Sequence, residues 1–383
     1  MPFQREIRLQ ALKSSAFLFG PRMTGKTTCL RTLKGAHFVD LLDPDEELRL
    51  RQSPRLFWEE ISVLPKGSLV IVDEIQRIPV LLDYVQKGID QHGYRFILSG
   101  SSARKLKRGA ANLLGGRALN LRLHPLIVQE IGKGFKIQNA LCFGTLPKIH
   151  DLVLQGDTDE ARRFLSSYVT TYLKEEIQAE AITRNLGAFQ RFLSIAAQSH
   201  GQIIEYANIS RECSVPMTTV KEYYQILEDT LLGEFLWPFD RSERKKARPK
   251  FYFFDCGVVR ALQNRLTDPP TPMEQGTLFE SWVIRELIRI RDYEEKEHDF
   301  TLWRRGPHEI DLLMTGGRGP LLAVECKTSR TDLSPATVAM FRKDFPKTPL
   351  LVASLADERP RRLENGVEVL PWREILQRYR DLT

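Results

Sequence analysis

The sequence predicts three folded units: a parallel α/β domain over residues 1–150, a helical domain ending in a helix-turn-helix and hairpin over 151–262, and an α+β domain over 263–383. Three observations carry this reading. Short continuous apolar runs alternate with helical patterns in the first third, as in a sheet buried on both faces. Strand patterns then give way to segments with a 3.6-residue period. From about Pro272 a long helix leads into closely spaced strands.

In the first unit, Ser15–Phe19 is a strand that runs into a Gly-rich turn, and Thr27–Leu33 is a helix. Ala36–Leu42, Leu69–Val72 and Arg95–Leu98 are further strands, and Ala118–Leu123 alternates. In the second, ARRFLSSYVTTYLKEEI and FQRFLSIAAQ are amphipathic. A short helix near Glu205–Cys213, an SVP turn and a longer helix from Met217 form a helix-turn-helix, with Pro216 at the first helical position. Two strands follow, Gly233–Phe239 and Lys250–Phe254, which completes the outline of a winged helix. The third unit reads helix (Glu274–Arg291), strands Phe300–Arg304, Glu309–Met314 and Pro320–Lys327, a helix, the strand Pro349–Ala353, and a last strand and helix.

Composition sets the outer limits. Hydrophobic residues make up 42% and charged residues 27%, which is globular, and 24 Gly with 21 Pro exclude a collagen-like or low-complexity chain. No apolar run approaches the ~18 residues of a membrane span. The N-terminal MPFQREIRLQ has no apolar h-region, so a secretory signal is not expected. Five cysteines, none spaced CxxC, argue for a reducing, cytoplasmic setting and against a zinc ribbon or disulfide framework. The net charge of +7 is mild, so its distribution matters more than its total.

Gly20-Pro-Arg-Met-Thr-Gly25-Lys26-Thr27 is a G-x-x-x-x-G-K-T loop between a strand and a helix. Its backbone N–H groups and the helix N-terminus suit the β- and γ-phosphates of ATP. Lys26 is placed to reach those phosphates and the Thr27 hydroxyl to hold Mg²⁺; Thr28 completes the nucleotide-binding set. Cys29, on the same helix, reads as core. Leu69–Val72 runs into Asp73-Glu74, which puts two carboxylates at the sheet's C-terminal edge: Asp73 for the Mg²⁺ and Glu74 as general base. Phe96-Ile-Leu-Ser99 ends a further strand, so Ser99 is placed to bond the γ-phosphate or its water.

GPRMTGKTT, LVIVDEIQRIP, FILSGSS, LLGGRALNLRLHPLIVQEI and PKFYFFDCGVV together resemble, in order and spacing, the AAA-type ATPases whose C-terminal part is the DUF4143 region. The resemblance implies an AAA-type core with Ser99 as sensor and Arg117 as an arginine finger reaching a neighbouring subunit's nucleotide; such fingers are worth ~10³–10⁵ in rate. Gly144-Thr-Leu-Pro147 resembles the Gly-x-Pro turn of related ATPases, whose proline packs on the adenine.

Residues 241–250, RSERKKARPK, set Arg241, Arg244, Lys245, Lys246, Arg248 and Lys250 against one acid, Glu243. A cationic wing of this kind can lie along DNA phosphates, with Thr218, Thr219, Lys221 and Tyr224 on the preceding helix. In the third unit, Glu280, Asp311, Glu325 and Lys327, in the order α-β-β-β-α-β, resemble the PD-(D/E)xK nucleases, that is, a restriction-endonuclease-like fold. That resemblance implies Mg²⁺ on Asp311 and Glu325, with catalysis left open. An ATPase with a winged helix resembles Holliday-junction branch-migration motors. The function expected is an oligomeric ATPase, such as a hexamer, that remodels branched or duplex DNA. The alternative is a signalling- or defence-type nucleotide switch that assembles on ATP without translocating.

Overall fold

The computed structural model describes residues 3–101, 114–172, 186–239, 248–330 and 333–382. Strands β1 (Ser15–Phe19), β2 (Ala36–Asp40), β3 (Leu69–Asp73), β4 (Arg95–Gly100) and β5 (Ala118–Arg122) form one sheet in the order β2-β3-β4-β1-β5. Every neighbouring pair is parallel. Successive side chains go to opposite faces. Phe17, Phe19, Val70, Val72, Phe96 and Leu98 pack into one core layer, and Leu18, Ile71 and Ile97 into the other with Leu30 and Cys29. This two-sided burial is why these strands are continuous apolar runs. The loop after β1 opens the short helix α1 (Lys26–Leu30). Further helices of this unit are α2 (Pro44–Gln52), α3 (Arg55–Ile61) and α4 (Leu81–His92).

A second core is helical. It gathers side chains from α5 (Ile137–Phe143), α6 (Pro147–Leu154), α7 (Thr158–Ser167), α8 (Leu186–Gln198), α9 (Tyr206–Cys213), α10 (Met217–Asp229) and α11 (Cys256–Leu262). The helix expected over 161–177 is α7 followed by a π-helical turn, Tyr168–Tyr172; its remainder lies outside the described residues. Ser214 takes a left-handed conformation between α9 and α10. Pro216 is the N-cap of α10 rather than its first helical residue. The antiparallel pair β6 (Gly233–Leu236) and β7 (Lys250–Phe253) follows.

The third unit is built on α12 (Pro272–Tyr293), started by Thr271, whose side chain accepts the Glu274 N–H at 3.2 Å, and by Pro272 in the first turn. Its sheet has the order β12-β13-β11-β10-β9-β8. The strands are β8 (Asp299–Arg305), β9 (His308–Gly316), β10 (Gly319–Lys327), β11 (Leu350–Ser354), β12 (Arg361–Arg362) and β13 (Glu368–Pro371). α12 and α14 (Trp372–Arg380) cover one face, and α13 (Pro335–Asp344) covers the other. Phe135, Ala140 and Leu141 also pack into the α12 layer, so the chain leaving the first sheet is buried against the last unit. Among the described residues, no helix is long and apolar enough to cross a membrane.

Candidate functional site

Strand order decides which side chains meet at the first sheet's C-terminal edge. β4 lies between β1 and β3, so Ser99 sits between the loop after β1 and the acid ending β3. Thr27 Oγ1 donates to Asp73 Oδ2 at 2.6 Å, and Ser99 Oγ donates to Asp73 Oδ1. The Glu74 N–H donates to Ser99 Oγ at 3.0 Å. Asp73 and Ser99 are fully buried. One hydrogen-bond chain therefore runs from the phosphate loop through Asp73 and Ser99 to the Glu74 backbone.

The loop is shaped for an anion. Gly25 lies at φ 90°, a left-handed conformation that glycine adopts without penalty. The Lys26 ammonium lies within the loop, donating to the Gly20 and Pro21 carbonyls at 2.7 and 3.2 Å. Beside the loop is a cavity of about 950 Å³, lined by Arg5, Ile7, Gly25, Thr28, Pro147 and Asp151 among others. That is room for a nucleoside. Pro147 opens α6 directly against the loop, 3.7 Å from where a Cβ on Gly25 would lie.

Glu74 is half-buried at φ 61°, and the Gln76 side-chain amide donates to its carboxylate. Thr27 and Asp73 offer two adjacent hard oxygens, which suits Mg²⁺, an ion that takes few protein ligands and keeps waters and substrate phosphates. Arg117 is exposed and donates to Asp90 at 3.0 Å.

Several further residues tie this pocket to the other units. Arg5 donates to the Thr24 carbonyl of the loop at 2.7 Å, to Glu130 at 2.9 Å and to the Tyr293 hydroxyl of α12 at 3.0 Å. The Asp255 carboxylate accepts the N–H of Thr145 at 2.7 Å and of Val258 at 3.2 Å, which joins the Gly144–Pro147 turn to α11. Arg289 of α12 donates to Thr145 Oγ1 at 3.1 Å and to the Leu126 and Phe254 carbonyls at 3.2 and 2.8 Å. Asp255 falls in the FFDCG stretch, which could have been picked out as an N-cap.

Glu286, one helical turn before Arg289, accepts the Val128 N–H at 2.7 Å. Burial pushes its carboxyl up to about 7, with Arg289 and Val128 opposing the rise. The folded state therefore holds this proton where the unfolded chain, with an ordinary glutamate, has released it. Stability from this residue is complete below about pH 4.5 and falls as pH rises towards 7. Glu286→Gln should gain stability relative to wild type as pH goes from 5 to 7.5. Thermal unfolding of the two proteins in matched buffers checks this.

The wing residues divide. Arg241, Arg244, Lys245 and Lys246 lie outside the described residues. Thr218 and Lys221 are exposed on α10, Lys221 with its ammonium over the Tyr206 ring, and Arg248 is exposed and paired with Glu205. Two expectations are corrected. Tyr224 is fully buried among Phe192, Phe235 and Phe251, so it is core and offers nothing to a groove. Lys250 is 5% exposed and points into the third unit, so it is no DNA contact. Its Nζ lies 2.8 Å from Glu280 Oε1, 2.7 Å from Glu309 Oε1 and 3.7 Å from Asp311 Oδ1.

The acids of the third unit do converge, on neighbouring elements. Asp311 Oδ2 accepts the Cys326 N–H at 2.9 Å, Glu325 Oε1 accepts from Lys327 at 2.7 Å, and Glu325 Oε2 faces the Asp311 N–H at 3.4 Å. Tyr252 donates to the same Glu280 oxygen as Lys250. Burial pushes all three carboxyls up, and Asp311 adds to the rise at Glu280 and Glu325. These oxygens are turned to protein donors. Among the described residues, no group of three or more His, Cys, Asp or Glu is arranged to hold a metal. Asp311 and Glu325, the two acids expected to hold Mg²⁺, thus lie together with protein donors on their oxygens.

A parallel sheet in this order, with a phosphate loop, a buried acid and a polar strand tip at one edge, defines an AAA-type nucleotide-binding domain. Residues 13–132 match the AAA domain family model, and residues 275–375 match the DUF4143 domain. The chain thus joins an AAA domain to a DUF4143 domain. Residues 134–268, between these two matches, match a separate domain of unknown function, DUF8612. The uncharacterized protein Rv2008c of Mycobacterium tuberculosis is 26% identical over 361 residues, 89% of this chain and 80% of the relative. The uncharacterized protein MJ1544 of Methanocaldococcus jannaschii is 22% identical, over 86% and 78%. Among solved structures, the Aeropyrum pernix Orc1 protein in complex with DNA is similar at TM-score 0.31 and 12% identity, over 67% of this chain and 87% of that one. The replication initiator DnaA bound to AMPPCP and single-stranded DNA is similar at TM-score 0.32 and 13% identity, over 58% and 84%.

Proposed function

We propose that this chain is a DNA-binding ATPase that works as a homo-oligomer, such as a hexamer, with working units 1–150, 151–262 and 263–383, and couples ATP hydrolysis to remodelling of branched or duplex DNA. The hydrogen-bond chain Thr27–Asp73–Ser99–Glu74 carries the ATPase part of this reading. ATP lies with its base in the cavity beside Pro147 and its phosphates in the loop, where the Lys26 ammonium leaves the Gly20 and Pro21 carbonyls for phosphate oxygens. Thr27 and Asp73 hold Mg²⁺, which neutralises charge on the phosphates. Glu74 takes the proton of the attacking water once its carboxylate leaves Gln76, and Ser99 orients Asp73. Arg117, exposed at its turn, serves a neighbouring subunit's site.

Thr218, Lys221 and Arg248, with the basic segment before Arg248, form the DNA-facing wing of a winged helix. The wiring of Arg5 and Arg289 between the pocket and α12 gives nucleotide occupancy a route to the rest of the chain. That wiring also favours the second reading, a signalling- or defence-type switch in which ATP drives assembly without translocation.

Replacing Lys245, Lys246 and Arg248 with Ala tests the wing. DNA affinity should fall alike for all sequences, and the plot of log affinity against log salt should flatten by about 0.9 per lost phosphate contact on duplex. An unchanged slope would remove the wing from the interface.

A further inference from the structure

The acidic site of the third unit already contains a cation, supplied by another part of the chain. Lys250 is the first residue of β7, and its backbone is fixed on two sides. It pairs with Leu236 of β6 and forms a bridge to Ile203, while the Ile204 N–H donates to the Pro249 carbonyl at 3.0 Å. Its stem is buried, and its ammonium ends between Glu280 of α12 and Glu309 and Asp311 of β9. Tyr252, two residues on and so on the same face of the strand, adds its hydroxyl to Glu280.

The ammonium is buried with Glu280, Glu309 and Asp311 at 2.8, 2.7 and 3.7 Å, so its counter-charge is close at hand. The acids need it equally, because buried carboxylates without a counter-charge are strongly disfavoured. Around this ammonium, the remaining oxygens of Asp311 and Glu325 accept from Cys326 N–H and Lys327.

We propose that Lys250 is the resident cation of this nuclease-like site: it occupies the acids in place of a divalent metal and clamps the β6–β7 hairpin to the third unit, which makes that unit a docking module rather than a metal-dependent nuclease. The proposal does not depend on the ATPase reading, since it uses none of the residues of the phosphate loop. It explains why one lysine of a strongly basic segment is buried while Arg248, two residues earlier, is exposed.

Two measurements on the nucleotide-free protein test it. The first is Mn²⁺ binding, followed by the electron paramagnetic resonance of free Mn²⁺, for wild type and Asp311→Asn. The two isotherms should superpose, any weak binding at the phosphate loop being common to both. A wild-type Mn²⁺ site lost in Asp311→Asn would overturn the proposal.

The second is thermal unfolding of Lys250→Met, alone and combined with Glu280→Gln. The single variant should unfold several degrees below wild type, or fail to fold, because it leaves carboxylates buried without their cation. The double variant should recover part of the loss, because it removes one of those charges. An unchanged midpoint in Lys250→Met, or a double variant no better than the single one, would show that Lys250 is not the charge these acids require.

Discussion

Glu74→Gln protein should bind ATP as wild type does and hydrolyse it about 10²–10⁴-fold more slowly, the contribution of a positioned general base. The substitution leaves the backbone chain intact, because Ser99 receives the Glu74 N–H and not its side chain. It also keeps the side-chain volume next to Gln76 and removes only the carboxylate that takes the proton. Lys26→Ala acts earlier in the cycle. It deletes the one lysine within the loop, so ATP binding itself should be lost and turnover with it. Phosphate release and binding of a fluorescent ATP analogue, measured on both variants, separate the two effects. Glu74→Gln turning over at the wild-type rate would reassign the base.

Gly257→Ala should be strongly disruptive. A Cβ at Gly257 would lie 2.1 Å from the Phe143 carbonyl oxygen and 2.9 Å from the Gly144 nitrogen, both backbone atoms that no rotamer change can move aside. Relief requires α11 to separate from the turn that starts at Gly144. That turn is held to α11 by Asp255, through the Thr145 and Val258 N–H groups. It also carries Pro147 against the phosphate loop. Overpacking of this kind costs about 1–3 kcal/mol. At about 2–4 °C of midpoint per kcal/mol for a domain of this size, the loss is easily measured. Nucleotide affinity should fall with it, since the turn borders the nucleoside cavity. A variant with the wild-type midpoint and wild-type ATP affinity would show that the turn moves independently of α11.

The phosphate loop, Asp73 and Ser99 were legible because each is a local signal: a fixed spacing in the loop, or a strand that ends on a polar residue. Parallel pairing then brings strand ends together whatever the rest of the chain does. Arg5 had no such signal, because its partner Tyr293 is 288 residues away. Lys250 was misread for a related reason. A run of basic residues gives a charge but not a direction, and Lys250 turns inward because β7 begins there and pairs at that residue with β6 and Ile203. Tyr224 illustrates the same limit on a helix. Its neighbours Val220 and Leu227 set the apolar face, and an aromatic residue one turn from each falls on it, so its hydroxyl is buried with its ring. In the third unit, β9 pairs with β10 across a short turn, and that pairing places Asp311 beside Glu325. Which cation those acids hold depended on a strand from a different unit.

The measurement closest to the central claim is the steady-state ATPase rate of the wild-type protein at fixed salt, without DNA and with duplex, single-stranded and four-way-junction DNA. A DNA-remodelling ATPase should turn over faster when DNA is present, most of all on the junction, and the increase should disappear when Lys245, Lys246 and Arg248 are replaced by Ala. A rate that stays slow and equal under all four conditions would contradict the account and leave the nucleotide switch in its place.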